Sequence, residues 1–326
     1  MKKIIFFQMM WLCLGVNAQK PSKPSASAAR QGKDQNNSST KLSEKISVSK
    51  FTEGVVYSRT SFPGHLLNDS LKTLDFESGD FVEQYKVIDA LKKHQKSIKG
   101  ETEQEIKDAF FVSGMMILPA YSKMYFTPSK KLIKTDALGY NQETLLNSVD
   151  KTGKIFFADR NKTNEGTIHF NTENFKEVWQ KYQIDAAQYN MQKTAETAII
   201  AGYPCKKIVY TFGGTSRGAG ASNYIINLLP TKVTAWYTDD LPPSINLMHT
   251  LDFELQKAIL KFEVEYDKNK KNKMLVEISK IEHQKLDNEK LELQDSAPVV
   301  VFQKDNFESS MLVMQVMMNA IALLTK

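Results

Sequence analysis

Cys205 stands in AETAIIAGYPCKKIVYTF, residues 195–212, and its thiol is the first group whose chemistry must be weighed. A thiol becomes a nucleophile when a neighbouring base or cation lowers its pKa. Lys206 and Lys207 adjoin it, but consecutive strand residues point to opposite faces, so at most one shares its side. Counting from Ile208, Tyr210 and Phe212 puts Cys205 on the other face, with Lys207 and Val209, unless a bulge near Gly202 and Pro204 shifts the register. The expectation is a small, half-buried, unreactive side chain. The five histidines, His65, His94, His169, His249 and His283, are scattered. His249 and Asp252 lie close in sequence, but one such pair falls short of a metal ligand set. GGTSRGAG, residues 213–220, lacks the Gly-Lys-Ser/Thr ending whose lysine meets a phosphate, and reads as a hairpin loop. There is no His-Glu-x-x-His and no Cys-x-x-Cys. Catalytic residues, metal ligands and a cofactor are therefore not expected, and the chain reads as a non-enzyme.

The elements that would position these residues are mostly strands. Leu260, Phe262, Val264 and Tyr266 alternate with charged residues, DKNKKNK turns, and Met274, Val276 and Ile278 resume the alternation. That is a hairpin with one wet face. Further short apolar runs lie at 54–59, 121–127, 131–136, 153–158, 165–170, 205–212, 222–229 and 232–237, with turn-forming residues between most of them. Helical spacing appears at Phe81, Tyr85, Ile88 and Leu91 and again at Ile106, Phe110, Gly114 and Ile117, which predicts two helices inserted after the first strand. Thr172 is placed to cap a short helix carrying Phe175, Val178, Trp179 and Tyr182. The fold class expected is α+β, mainly antiparallel: a curved open sheet or half-barrel with helices covering its concave face.

A last helix, Phe307 to Leu324, follows a cap at Asp305 or Asn306 and is apolar nearly all round. Such a helix is a core helix lying on the sheet or a methionine-rich lining of an adaptable groove. In the second reading Met311, Met314, Met317 and Met318 turn inward and, with Phe262, Val264 and Trp236, line an apolar ligand site.

The start, MKKIIFFQMMWLCLGVNAQK, has two lysines, an apolar run and an Ala-x-Ala-like end, the order of a signal peptide over residues 1–18. The run is short of the ~20 residues that cross a bilayer, and the bulky residues before Cys13 do not make a lipobox. Residues 19–50 form a basic Ser/Lys/Asn-rich tail expected to be disordered. The whole chain carries +6, but the leader and tail hold all of that excess, leaving residues 51–326 with 34 basic against 35 acidic side chains. A nucleic-acid protein needs a basic face, so nucleic acid is excluded as a partner. The organisation expected is a β domain over 51–300, with helices near 81–118, and a helix over 301–326 packed on it.

TAIIAGYPCKK, residues 197–207, and VTAWYTDDLPP, residues 233–243, resemble a pair of motifs in secreted β-rich domains of unknown function from Bacteroidetes envelopes, relatives of the GLPGLI family. Where that family's naming motif would follow, SINLMHTLDFELQKAI stands instead. The segment MLVEISKIEHQKLDNEKLEL is similar to the closing strand pair of a related domain family. The resemblance marks Gly202, Tyr203, Cys205, Trp236 and Tyr237 as family-motif residues and implies that the cysteine segment is strand framework. The order of one strand, inserted helices and a long meander also resembles the half-barrel of lipoprotein carriers, which implies acyl-chain binding on the concave face. The expectation is an exported periplasmic or outer-membrane-associated binder of a lipid or other hydrophobic molecule, with an envelope scaffold or interaction module as the alternative. Partners at the outer-membrane surface or among envelope proteins fit either reading.

Overall fold

In the computed structural model the described residues are 51–78, 81–175, 184–185, 189–213, 230–247, 251–252, 257–266, 273–289, 291–303 and 308–324. The leader, the basic tail, most of GGTSRGAG, the strand expected at 222–229, the DKNKKNK turn up to Asn272, Trp179, Tyr182, His249 and the caps Asp305 and Asn306 lie outside them.

The chain runs β1 (Gly54–Ser61), α1 (Asn68–Thr73), α2 (Val82–Ser97), α3 (Glu103–Ile117), then β2 (Tyr121–Phe126), β3 (Lys130–Asp136), β4 (Tyr140–Asn147), β5 (Thr152–Asp159) and β6 (Glu165–Asn171). After a short β7 (Ile184–Asp185) come β8 (Tyr189–Ile200), β9 (Tyr203–Phe212), β10 (Lys232–Thr238), the short β11 (Leu251–Asp252), β12 (Ala258–Glu265), β13 (Lys273–His283), β14 (Val299–Val301) and α4 (Glu308–Ala322). Twelve strands form one open sheet in the order β14-β6-β5-β4-β3-β2-β1-β13-β12-β10-β9-β8. Every neighbour pair is antiparallel except β14 on β6. β1 therefore sits in the middle, with one meander on each side of it. The fold is the expected α+β class, a curved and unclosed antiparallel sheet with a few helices.

Pairing partners define one inner face. Val56, Met124, Ile133, Thr144, Ile155 and Ile168 are a single row across β1 to β6. All but Thr144 belong to the main apolar core, where Val112, Met115 and Met116 of α3 and Val313, Val316 and Met317 of α4 join them. α4 packs on β4, β5, β6 and β14 and against α3. The closeness has a local cause: a Cβ at Gly139 would overlap Ala320, and one at Gly166 would press on Leu312. The Gly139 N–H also donates to the Met116 carbonyl at 3.0 Å, and the Tyr140 hydroxyl to the Ile117 carbonyl at 3.1 Å, fixing the end of α3 on the β3–β4 turn. α3 begins with a capping box in which Thr102 and Glu105 satisfy each other's backbone N–H.

Several expectations change. Three helices, not two, are inserted, and on α2 the buried side is Gln84, Val87, Ile88 and Leu91, while Phe81 and Tyr85 are exposed. The segment 72–78 crosses the outer face instead: the Arg59 guanidinium donates to the Lys72 and Leu74 carbonyls, and Phe76 stacks on Tyr121. The expected helix starts at 172–175, but Asn171, not Thr172, caps it, its Oδ1 accepting from the Glu173 and Asn174 N–H groups. Residues before β14 strap the outer face, where Asp295 pairs with both Lys154 and His169.

Candidate functional site

The inner face is apolar across both wings. On the far wing Ile208, Tyr210, Val233, Ala235, Phe262, Val264, Met274 and Ile278 are all buried. Two contacts show how strongly the sheet curls. The Tyr203 hydroxyl of β9 lies 2.6 Å from His283 Nε2 at the end of β13, although β10 and β12 stand between those strands in the sheet. The Lys131 ammonium of β3 donates to the Ser244 carbonyl, 3.1 Å away, in the segment that leaves β10. That segment fills a seam: Ile259 exchanges backbone hydrogen bonds with Ile245 and Leu247 where β13 has turned away to follow β1.

Polar groups interrupt this face in two places. Ser58, Ser122, Thr135 and Gln142 form one buried row across β1 to β4. Ser122 and Thr135 hydroxyls meet at 3.2 Å, the Gln142 amide donates to the Thr144 hydroxyl at 2.9 Å, and Gln142 Oε1 has no partner. Lys131 is the second interruption. By register it faces inward between Phe126 and Leu146, and its ammonium sits 4.8 Å from the Phe126 ring. The residue as a whole is half-buried, but desolvation of its ammonium lowers its pKa from 10.5 to about 7, and no acidic group among the described residues opposes that.

Of the seven residues expected to line a ligand site, the structure turns four inward. Phe262 and Val264 are buried on the far wing, Met317 is fully buried against the near wing, and Met314 is partly buried. Met311 and Met318 point outward, 51% and 53% exposed. They follow the outer side of the helix with Gln315, because the buried side is set by Leu312, Val313, Val316 and Ala320. Trp236 is likewise not a lining residue: it pairs with Lys207 and Lys261 on the outer face, with the Lys207 ammonium 5.6 Å from its ring. The inward residues are also spread over two wings, so they do not converge on one spot.

The family-motif residues have framework roles here. Ala201 and Gly202 turn β8 into β9 with φ of 50° and 88°, the left-handed conformation of a tight hairpin. Tyr203 makes the contact to His283, and Tyr237 is buried. Cys205 is 1% exposed, its Sγ is 3.5 Å from the Tyr203 carbonyl, and burial raises its pKa to about 11. The register does shift, but between Lys193 and Thr197 on β8 rather than at Gly202 or Pro204. Cys205 thereby shares the buried side with Tyr203 while Lys206 is exposed.

Three features escaped the sequence. His65 and His94 lie with ring centroids 5.5 Å apart, and burial lowers His65 to about pKa 4, with its Nε2 unpartnered. Asp159 accepts from Thr163, Asn164 and Asn319, which hold its pKa down despite burial. Lys131 sits in a run of lysines that reads as an ordinary wet strand edge. Among the described residues no group of three or more His, Cys, Asp or Glu could hold a metal ion, and no helix is long and apolar enough to cross a membrane.

No protein-family model matches the chain, and no curated protein does. Among solved structures, PNGF-II is similar at 18% identity over 60% of this chain and 30% of that one, with a TM-score of 0.32. The chain thus spans 30% of the length of that structure. An outer membrane lipoprotein-sorting protein domain from Vibrio parahaemolyticus is similar at 7% identity over 80% of this chain and 92% of that one, with a TM-score of 0.17. Superpositions this loose carry neither a family nor a function to this chain.

Proposed function

We propose that this is an exported, non-enzymatic envelope protein that holds a lipid or other hydrophobic molecule on the concave face of its sheet, with α4 as a displaceable cover. The observation that carries the reading is the cover itself. α4 closes one wing through small-residue contacts and two side-chain hydrogen bonds, Gln315 to Asn164 at 2.6 Å and Asn319 to Asp159 at 3.1 Å. Its outer side nonetheless presents Met311 and Met318 to water. A helix apolar on both sides is suited to a second apolar contact, and methionine repacks at small cost. The leader-like start supports export, and the curled inner face supports an apolar occupant.

Titration of the full chain with an uncharged solvatochromic dye, competed by dodecanol, tests this. Saturable dye binding that dodecanol displaces is expected. Dye binding that never saturates, or that dodecanol leaves untouched, contradicts it. A second reading, an interaction module without ligand, is favoured by the exposed Val299 and Val301 on the edge strand β14, which offer a strip for another chain.

A further inference from the structure

Lys131 is a cation placed where the described residues provide no anion. It occupies an inward position of β3 between Phe126 and Leu146, one row from Met124, Ile133 and Ile155. Buried charges are ordinarily paired, because an ammonium taken out of water loses its hydration. Among the described residues no carboxylate offsets that cost: none forms an ion pair with Lys131, and desolvation is what shifts it. The outer-face lysines differ. Lys134, three residues on, meets Glu143 at 3.3 Å, Lys123 meets Glu77 at 3.6 Å, and Lys154 meets Asp295 at 3.0 Å.

Among the described residues the polar partner of Lys131 is the Ser244 carbonyl, which uses one of three ammonium donors. That contact also puts the ammonium at the seam between the wings, beside the 244–247 segment, at one end of the apolar face. A charged donor at the end of an apolar surface is the arrangement that orients an amphiphile, head to the cation and tail along the face.

We propose that Lys131 is the headgroup site of the concave face and that the ligand is a single-chain amphiphile with an anionic oxygen-acid head. The inference rests on the reading of that face as a hydrophobic-ligand site. A carboxylate, as on a fatty acid, and a phosphate monoester, as on a simple phospholipid, share the required chemistry.

Isothermal titration of the full chain with dodecanoate, dodecyl phosphate and dodecanol, repeated on Lys131→Met and Lys131→Arg, separates the possibilities. The unaltered protein is expected to bind at least one of the two anions about 10-fold or more tightly than the alcohol. Which anion it prefers assigns the source. Lys131→Met should erase that preference while leaving dodecanol binding as it was, which also shows that the variant is folded. Lys131→Arg should keep the preference. If acid, phosphate and alcohol bind equally to the unaltered protein, or if Lys131→Met keeps the preference, the headgroup site is wrong and the hydrophobic-ligand reading stands. If none of the three binds, both fall.

Discussion

Lys131 makes a prediction about stability that is independent of any ligand. Its folded pKa of about 7 lies below that of a lysine in the unfolded chain, ~10.4. Below about pH 7 both states carry the charge and the folded state bears the whole cost of burying it. Between about pH 7 and pH 10 the folded state sheds the proton first, so this contribution to stability rises with pH. Lys131→Met should therefore stabilise the protein at about pH 6 by about 1–3 kcal/mol, with the gain shrinking towards pH 10. Urea unfolding at the two pH values measures it, and an equal gain at both would mean the ammonium is well solvated. Cys205 makes the opposite kind of prediction. Buried and raised to a pKa of about 11, it should resist thiol reagents at neutral pH in the native protein. Cys205→Ala should cost about 1–2 kcal/mol in urea unfolding, and leave binding of a hydrophobic ligand unchanged. Rapid stoichiometric labelling of the native protein would contradict this.

At the scale of elements, the hairpin β8–β9 and the seat of α4 are the places where geometry is tight. Ala201 holds φ of 50°, which an L side chain adopts at a cost. Ala201→Gly should thus stabilise by about 0.5–1 kcal/mol, less than the steric relief because glycine also frees the unfolded chain. A lower midpoint for that variant would mean the turn tolerates alanine without strain. Gly139→Val should destabilise by about 1–3 kcal/mol and expose α4 to protease, since its side chain meets Ala320. These elements also show where sequence reading succeeds. β12 and β13 were legible because Phe262 and Val264 alternate with charged residues and Met274, Val276 and Ile278 recur at period two. β4 was missed because its buried alternation, Tyr140, Gln142, Thr144 and Leu146, is half polar. β8 was missed because it is an edge strand with mostly exposed residues, held by pairing to β9 and not by burial. The methionines of α4 were recognised as important, but an all-round apolar helix has no wet side to set its rotation. Which methionines face out is decided by Gly139 and Gly166, far away in sequence. Trp236 was misplaced for a similar reason, since its outer position follows from pairing with Lys207 and Lys261.

At the scale of the whole molecule, the fold class was legible from strand periodicity and the inserted helices, while the curl was not. The curl depends on a seam, with β13 leaving β12 to follow β1 and residues 245–247 filling the gap. No local pattern encodes that, and it is what brings Tyr203 to His283 and Lys131 to Ser244. It turns two meanders into one concave apolar face with a cation at its end. The account's central claim, that this face holds a hydrophobic molecule, is tested most directly by native mass spectrometry of the protein released gently from the envelope of an expressing cell. The account predicts a bound population whose added mass is released on activation in the gas phase and is identified as a lipid or other long-chain molecule. A bare mass under conditions that preserve a known lipid carrier, run in parallel, would contradict it.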